Sequence, residues 1–258
     1  MTTTYRYLKW NGAQTEFKLE AEDFFKEFSN FLMEGWTPDE AFEWIMKQGI
    51  RGAKIRVMGI DDLRSELAKY KEKQFQTYHL RESLSEIRKK LSEIIERELI
   101  ALKNNLSIIS PEYQKRKNFL KNLPEKLSLA IENLSNYDFT DAEAKNKFEE
   151  LKKKLEKIKK VENFINRYGE RFRGKTSRGF EETLDLIEEF EEIERLEHNL
   201  MLGNFDQINL DDIQEILSEE AYNSFLLLKD LKANLEELGL VKTRGHCTEL
   251  SPKGIRKV

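Results

Sequence analysis

The sequence contains one literal match to a nucleotide-binding motif. Residues 169–176 read GERFRGKT and fit the P-loop pattern G-x-x-x-x-G-K-[ST]. In a P-loop, a strand leads into a loop of small residues whose backbone amides bind phosphate ahead of a helix. Here the preceding residues have a helical pattern, and the loop contains Glu170, Phe172 and two arginines. We therefore interpret the match as chance, and a nucleotide hydrolase is the weakest of three functional hypotheses.

The histidines are isolated from one another and from other metal-ligating residues. They are His79, His198 and His246. In a di-iron site on a helical bundle, a glutamate lies three residues before a ligating histidine. In this sequence those positions hold Gln, Arg and Thr. Zinc would need a second Cys or His pair beyond the adjacent Cys247. We expect no metal site.

Glutamates on the long helical segments are the remaining candidates for chemistry. We expect Glu93, Glu96 and Glu98 on the polar face of one helix. No spacing of Ser, His and Asp, or of Cys and His, indicates a nucleophile with its base. The sequence therefore predicts a non-enzymatic protein without catalytic residues or a cofactor.

Composition limits the class of protein. Charged residues make up 36% of the 258 positions, and 44 basic against 48 acidic residues give a net charge of −4. Any nucleic-acid site would therefore be a local patch. A single cysteine excludes an internal disulfide and suits a reducing compartment. No apolar run approaches the ~18–20 residues of a membrane span. We expect a cytoplasmic protein.

Two long amphipathic helices are expected to form the framework. Thr140 and Glu143 have the spacing of a capping box, which predicts one helix from there to Tyr168. Its apolar stripe is Phe148, Leu151, Leu155, Ile158 and Ile165. A second such helix is expected over residues 84–102. The sequence predicts a mainly α fold, an elongated bundle with two long antiparallel helices.

Smaller elements are expected at both ends of the chain. Asn-Gly at positions 11–12 predicts a small N-terminal β-hairpin over residues 5–17. Near the C-terminus, a short helix, a longer helix over 218–238 and a strand pair have the order of a winged-helix-like module. The expected domains are 1–60 (hairpin plus short helices), 61–207 (long-helix coiled bundle) and 208–258 (winged-helix-like module).

Charge decides between two uses of the C-terminal module. Residues 211–238 contain eight acidic side chains and two lysines, so a recognition helix there would repel phosphate. The tail is basic, and its cations are Lys242, Arg244, Lys253, Arg256 and Lys257. A DNA-binding regulator that uses this basic wing is the alternative hypothesis, and protein–protein binding is favoured.

A basic loop follows the central helix. Its cations are Arg167, Arg171, Arg173, Lys175 and Arg178. The acidic segment 181–189 comes next, so the two form a polarised surface that could steer a protein partner. The alternative is that these charges form a solvated face that keeps a bundle soluble.

Four stretches together resemble a known family. They are KW-NG-AQ-F near the start, NYDFTDAEAKNKFEELKKKL at 136–155, RYGERF at 167–172 and LEELGLVKTRGHCTELSPKGIRKV at 235–258. They resemble the helical N-terminal region of prokaryotic von Willebrand factor A-domain proteins that accompany MoxR-type AAA+ ATPases. The resemblance implies an adaptor whose partner is such an ATPase, an A-domain protein, or both. The family's metal motif D-x-S-x-S is not in this sequence, so metal-dependent adhesion is not implied.

Overall fold

The computed structural model describes residues 21–51, 56–209, 214, 216–244 and 247–256, and these are mainly helical. This confirms the mainly α prediction. The N-terminal hairpin predicted over residues 5–17 lies outside the described residues. The short helix expected at 211–217 also lies largely outside them.

The elements follow one another in this order. The first group is α1 (Ala21–Met33), α2 (Pro38–Gln48), β1 (Gly49–Arg51), β2 (Arg56–Met58), α3 (Ile60–Thr77) and β3 (Tyr78–His79). The second is α4 (Ser85–Asn105), α5 (Pro111–Lys121), α6 (Leu127–Leu134), α7 (Ala142–Lys152), α8 (Leu155–Tyr168), β4 (Thr176–Ser177) and α9 (Phe180–Leu202). The last group is a 3₁₀ turn (Phe205–Gln207), α10 (Glu219–Glu237), β5 (Val241–Arg244), β6 (Cys247–Leu250) and α11 (Pro252–Ile255).

Several helix starts are set by local capping. Thr37 accepts a hydrogen bond from the Glu40 amide, and the Glu40 carboxylate accepts one from the Thr37 amide at 2.9 Å. This is the reciprocal capping box that satisfies two amides of the first turn. Ser110 and Ser218 cap α5 and α10 with their hydroxyl oxygens. The start at Ser218 agrees with the helix expected over residues 218–238.

The chain divides into two compact units, residues 1–70 with 195–258 and residues 71–194. In the first unit, the amide of Met58 on β2 donates to the buried Ser224 hydroxyl of α10 at 3.0 Å. Strands β5 and β6 pair antiparallel, and β6 packs on α2. The strand pair was expected. The winged-helix architecture and the division into three domains stay predictions.

The second unit holds the helices around the candidate site. Helix α4 packs on α5 and α7, and α6 packs on α8. Their shared core includes Phe75, Leu91, Leu102, Ile131, Phe148, Ile158 and Phe190. This packing is mainly helical, as expected. The more specific arrangement, an elongated bundle with two long antiparallel helices, stays a prediction.

The single helix predicted from Thr140 to Tyr168 is wrong in two respects. The N-cap is Asp141, whose Oδ1 accepts from the Ala144 amide at 2.7 Å. The helix then ends at Lys152, and α8 starts afresh at Leu155. Neither glycine nor proline marks this break, so the local sequence gave no sign of it.

Candidate functional site

The basic loop 167–178 is held against the segment that follows α3. Strands β3 and β4 pair in parallel, with Tyr78 beside Thr176 and His79 beside Ser177. Backbone amides of the loop also donate to carbonyls in the last turn of α3 and in β3, from Arg173 to Phe75 at 2.9 Å and from Gly174 to Tyr78 at 2.9 Å. The loop backbone is therefore fixed by long-range hydrogen bonds.

The glycines of the P-loop match have a structural explanation. A Cβ atom on Gly174 would lie 2.0 Å from the carbonyl carbon of Thr77, so only glycine allows this approach of the two backbones. The Gly169 amide donates to Ile165 O at 2.7 Å and belongs to the end of α8. A helix, rather than a strand, leads into the loop. The motif is thus explained without phosphate.

We predict that residues 169–176 do not bind ATP. A P-loop binds phosphate through free amides, but the amides of Gly169, Arg171, Arg173 and Gly174 all donate to protein carbonyls. Calorimetric titration with ATP should detect no heat of binding, for the wild-type chain and for Lys175→Ala alike. Micromolar affinity that Lys175→Ala abolishes would show this prediction to be wrong.

Three of the five predicted partner-binding cations are used within the chain. The Arg171 guanidinium lies 4.1 Å from the Phe75 ring centroid and 3.5 Å from a Glu72 carboxylate oxygen. Arg167 pairs with Glu194 at 3.2 Å. Arg178 lies over the Tyr78 ring at 3.8 Å. These arginines hold the loop to its neighbours, so their charge is already partly matched.

The other two cations have no ion pair with a described carboxylate. Arg173 and Lys175 are exposed, and neither forms an ion pair with any carboxylate in the described ranges. Arg81 is a third exposed cation without such a pair. Nothing in the sequence marks Arg81 as part of this site, because the long-range pairing of β3 with β4 brings its segment to the loop.

A cavity of about 670 Å³ lies between these segments. It is lined by His79, Leu80, Arg81, Ile165, Gly169, Glu170, Phe172, Arg173 and Gly174. Leu80 and Phe172 are each 5% exposed and give it an apolar wall. Two arginines and one glutamate leave its lining with a net positive charge. This basic-rimmed cavity is the candidate functional site.

A second cluster of polar side chains surrounds Glu98. Contrary to expectation, Glu98 is fully buried on α4, whereas Glu93 and Glu96 are exposed. Its carboxylate accepts hydrogen bonds from the Thr140 and Asp141 amides at 2.9 and 3.0 Å and from the Tyr137 hydroxyl at 3.1 Å. The carboxylate thus fixes the loop that leads into α7.

The surroundings of Tyr137 in this cluster shift the pKa of its hydroxyl. Burial, together with the neighbouring Glu98 carboxylate, raises the pKa of Tyr137 to about 12. Arg116 lies 3.7 Å from the Glu98 carboxylate and donates to the Tyr137 hydroxyl at 3.2 Å. The Tyr137 hydroxyl and the amides of Thr140 and Asp141 thus all donate to one buried carboxylate, which is the arrangement of a structural anchor.

The remaining sequence candidates do not converge. His198 is exposed, His79 lines the cavity, and His246 lies outside the described residues. In the part of the chain that the structure describes, no three His, Cys, Asp or Glu side chains could hold a metal ion together. The described helices include none with both the length and the apolar character of a membrane span.

The predicted basic wing is only partly described. Lys253 donates its ammonium to Leu238 O at 2.8 Å at the end of α10, and Arg256 donates to Pro252 O at 3.0 Å. Lys242 is exposed on β5. The Arg244 side chain and Lys257 lie outside what the structure describes. Lys253 and Arg256 therefore each donate one hydrogen bond to a nearby carbonyl.

We predict that duplex DNA binds weakly and only at low salt. At most about five cations can contact phosphate, and the affinity of such contacts falls steeply with salt concentration. Anisotropy titrations with a labelled duplex should show binding that disappears near physiological salt. Tight binding there, lost on Lys242→Ala with Arg244→Ala, would instead favour the DNA-binding regulator.

The fold and the site define a mainly helical domain with a basic-rimmed cavity. Residues 81–154, which contain α4 to α7, match the family model of the Mb0984 helical domain. No curated protein matches the chain, and no solved structure does. The match agrees with a helical domain over these residues.

Proposed function

We propose that this chain is a non-enzymatic adaptor that binds a MoxR-type AAA+ ATPase, a von Willebrand A-domain protein, or both. Support comes from the sequence resemblance, and the Mb0984 helical-domain match is compatible with it. The observation that carries the proposal is the pair of exposed cations, Arg173 and Lys175, without an ion-pair partner among the described carboxylates. A cytoplasmic location is part of the same proposal.

The loop suits a partner because its backbone and its charges have separate roles. Arg167, Arg171 and Arg178 hold the loop in place through carboxylates and aromatic rings. Arg173 and Lys175 then project from a fixed segment, so little ordering entropy is lost on binding. Exposed cations of this kind increase the rate of encounter with an acidic surface. The alternative is that they are only solvated.

The test is a double charge reversal, Arg173→Glu with Lys175→Glu. We expect the association rate with a MoxR-type ATPase at low salt to fall by about tenfold, because the steering cations become anions. The dissociation rate should change less. Thermal melting should stay unchanged, since neither side chain pairs with a described carboxylate.

The matched control is Lys89→Glu with Lys145→Glu. Both lysines are exposed in the same unit, and no described residue forms an ion pair with either. The change in net charge is identical, so an effect of total charge alone would appear in both variants. Equal association rates for the two double variants would remove the loop from the interface. If neither the ATPase nor an A-domain protein bound the wild-type chain, the adaptor function would be wrong.

Arg171 is left intact in this design. Its guanidinium contacts both Glu72 and the Phe75 ring. A glutamate in its place would face another carboxylate and the negative face of an aromatic ring. Its reversal would therefore disturb the loop, and a slower association could not be assigned to the partner contact.

A further inference from the structure

We propose that the basic-rimmed cavity binds an apolar side chain from an acidic segment of a protein partner, whose flanking carboxylates contact Arg81 and Arg173. This inference rests on the proposed function in one respect, because it takes the ligand to be part of a protein. It adds the position of the binding site and the chemistry of the bound segment.

The interior of the cavity favours an apolar group. Leu80 and Phe172 are nearly buried, and Ile165 of α8 adds an aliphatic wall. The space is half open to solvent, and its volume of about 670 Å³ is in the range of small-ligand sites. One large aliphatic or aromatic side chain fits such a space and covers the part of the apolar wall that is still exposed.

The rim favours carboxylates. Arg81 and Arg173 are exposed, and the described chain offers neither of them an ion-pair partner. The Nε of Arg173 donates to Glu170 O at 3.1 Å, which orients the guanidinium and leaves its terminal N–H groups for a ligand. Two such groups can bind one carboxylate in a bidentate arrangement. The rim and the interior together fit an acidic segment with an apolar residue between its acids.

A phosphate ligand fits less well. Phosphate sites built on glycine-containing loops use several free backbone amides. Here the amides of Arg173 and Gly174 donate to Phe75 O and Tyr78 O at 2.9 Å each. Fewer backbone amides therefore remain for an anion than a phosphate-binding loop uses, and the guanidinium groups can bind a carboxylate.

The walls are held in place before any ligand binds. The β3–β4 pairing and the two loop amides connect both sides of the cavity through the backbone. The close contact at Gly174 adds a steric constraint. A preformed site loses less conformational entropy on binding.

The experiment uses the whole chain and a fluorescein-labelled peptide with one phenylalanine between two pairs of glutamates, flanked by Gly-Ser. Two control peptides replace the phenylalanine with serine or the glutamates with lysine. Fluorescence anisotropy at low salt should show saturable binding of the first peptide. We expect each control peptide to bind about tenfold more weakly.

The protein variants test the contacts that Arg81 and Arg173 make with the carboxylates of the peptide. Arg81→Glu with Arg173→Glu should lower the affinity for the phenylalanine peptide by about tenfold or more. Lys89→Glu with Lys145→Glu should change this affinity little. Circular dichroism melting should be the same for all four proteins, with Arg81→Gln plus Arg173→Gln as the fourth. The glutamine pair should show an intermediate loss of affinity. No saturable binding, or equal binding of the phenylalanine and serine peptides, would overturn the inference.

The inference and the proposed function can fail separately. Suppose that Arg173→Glu with Lys175→Glu slows association with the ATPase, while neither replacing Arg81 nor replacing the phenylalanine of the peptide changes peptide affinity. The adaptor function then stands, and the cavity is excluded as the binding site. If the peptide binds in the cavity but no ATPase or A-domain protein binds the chain, the cavity site stands and the named partners are wrong.

Discussion

Replacing Glu98 with alanine is expected to lower the free energy of unfolding by about 3–5 kcal/mol, the usual cost of removing one partner from a buried charged network. The carboxylate is fully buried and accepts from two backbone amides, of Thr140 and Asp141, and from the Tyr137 hydroxyl. Without it, these donors lose their acceptor in a partly buried site. Arg116, 3.7 Å away, would also lose its counter-charge.

The measurement is urea unfolding followed by far-UV circular dichroism. The matched control is Glu96→Ala, two residues away on the same helix, where the side chain is exposed and contacts no described hydrogen-bond or ion-pair partner. A surface change of this kind should shift the unfolding free energy by less than ~0.5 kcal/mol. Glu98→Gln should fall between the two, since its amide keeps one acceptor oxygen. If Glu98→Ala and Glu96→Ala had equal effects, the carboxylate would not anchor the loop.

The position of Glu98 could have been found from the sequence. The stripe of α4 runs through Leu91, Ile94 and Leu102, and position 98 lies four residues from each of the last two. Residues four apart share one helix face. A glutamate at this position is therefore on the buried side, whereas Glu93 and Glu96 are on the exposed side. The helical periodicity of the apolar residues therefore places Glu98 on the buried face.

Most helix starts were predictable because they depend on neighbours in sequence. The Thr37 capping box and the Ser110 and Ser218 caps each combine a cap residue with the turn that follows it. The start of α7 was wrongly placed for a long-range reason. The amide of Thr140 donates to Glu98, 42 residues earlier, and Asp141 then takes the cap position.

The short strands were harder to predict than the helices. Strand β3 has two residues, and its partner β4 lies almost a hundred residues later in parallel orientation. A two-residue strand has no measurable alternation, and nothing local identifies its partner. The β1–β2 pair, in which Ile50 lies opposite Val57, is likewise only three residues long on each side.

The candidate site was therefore only half predictable. The sequence identified the basic loop as a charged segment, but it could not separate Arg171, which is matched by Glu72 and Phe75, from Arg173, which is not. The cavity wall comes from Leu80 and Arg81, and their approach depends on β3 pairing with β4. Composition and spacing carry no information about that pairing.

Replacing Gly174 with alanine is expected to destabilise the second unit and to displace the basic loop. The added Cβ would lie 2.0 Å from the Thr77 carbonyl carbon and 2.3 Å from the Tyr78 amide nitrogen. Both are backbone atoms, so no flexible side chain can move aside. Overpacking against a rigid neighbour gives an expected loss of about 3 kcal/mol in unfolding free energy.

The matched control is Gly179→Ala in the same connection, where the nearest atom to an added Cβ is a Glu182 carboxylate oxygen at 3.9 Å. Its effect should stay below ~0.5 kcal/mol in either direction. A P-loop explanation of Gly174 predicts a different result, namely normal stability with altered phosphate binding. The structural explanation predicts reduced stability in urea unfolding and, at temperatures where the variant is still folded, weaker binding of the phenylalanine peptide. Equal unfolding curves for Gly174→Ala and Gly179→Ala would contradict the close backbone contact that holds this loop against β3.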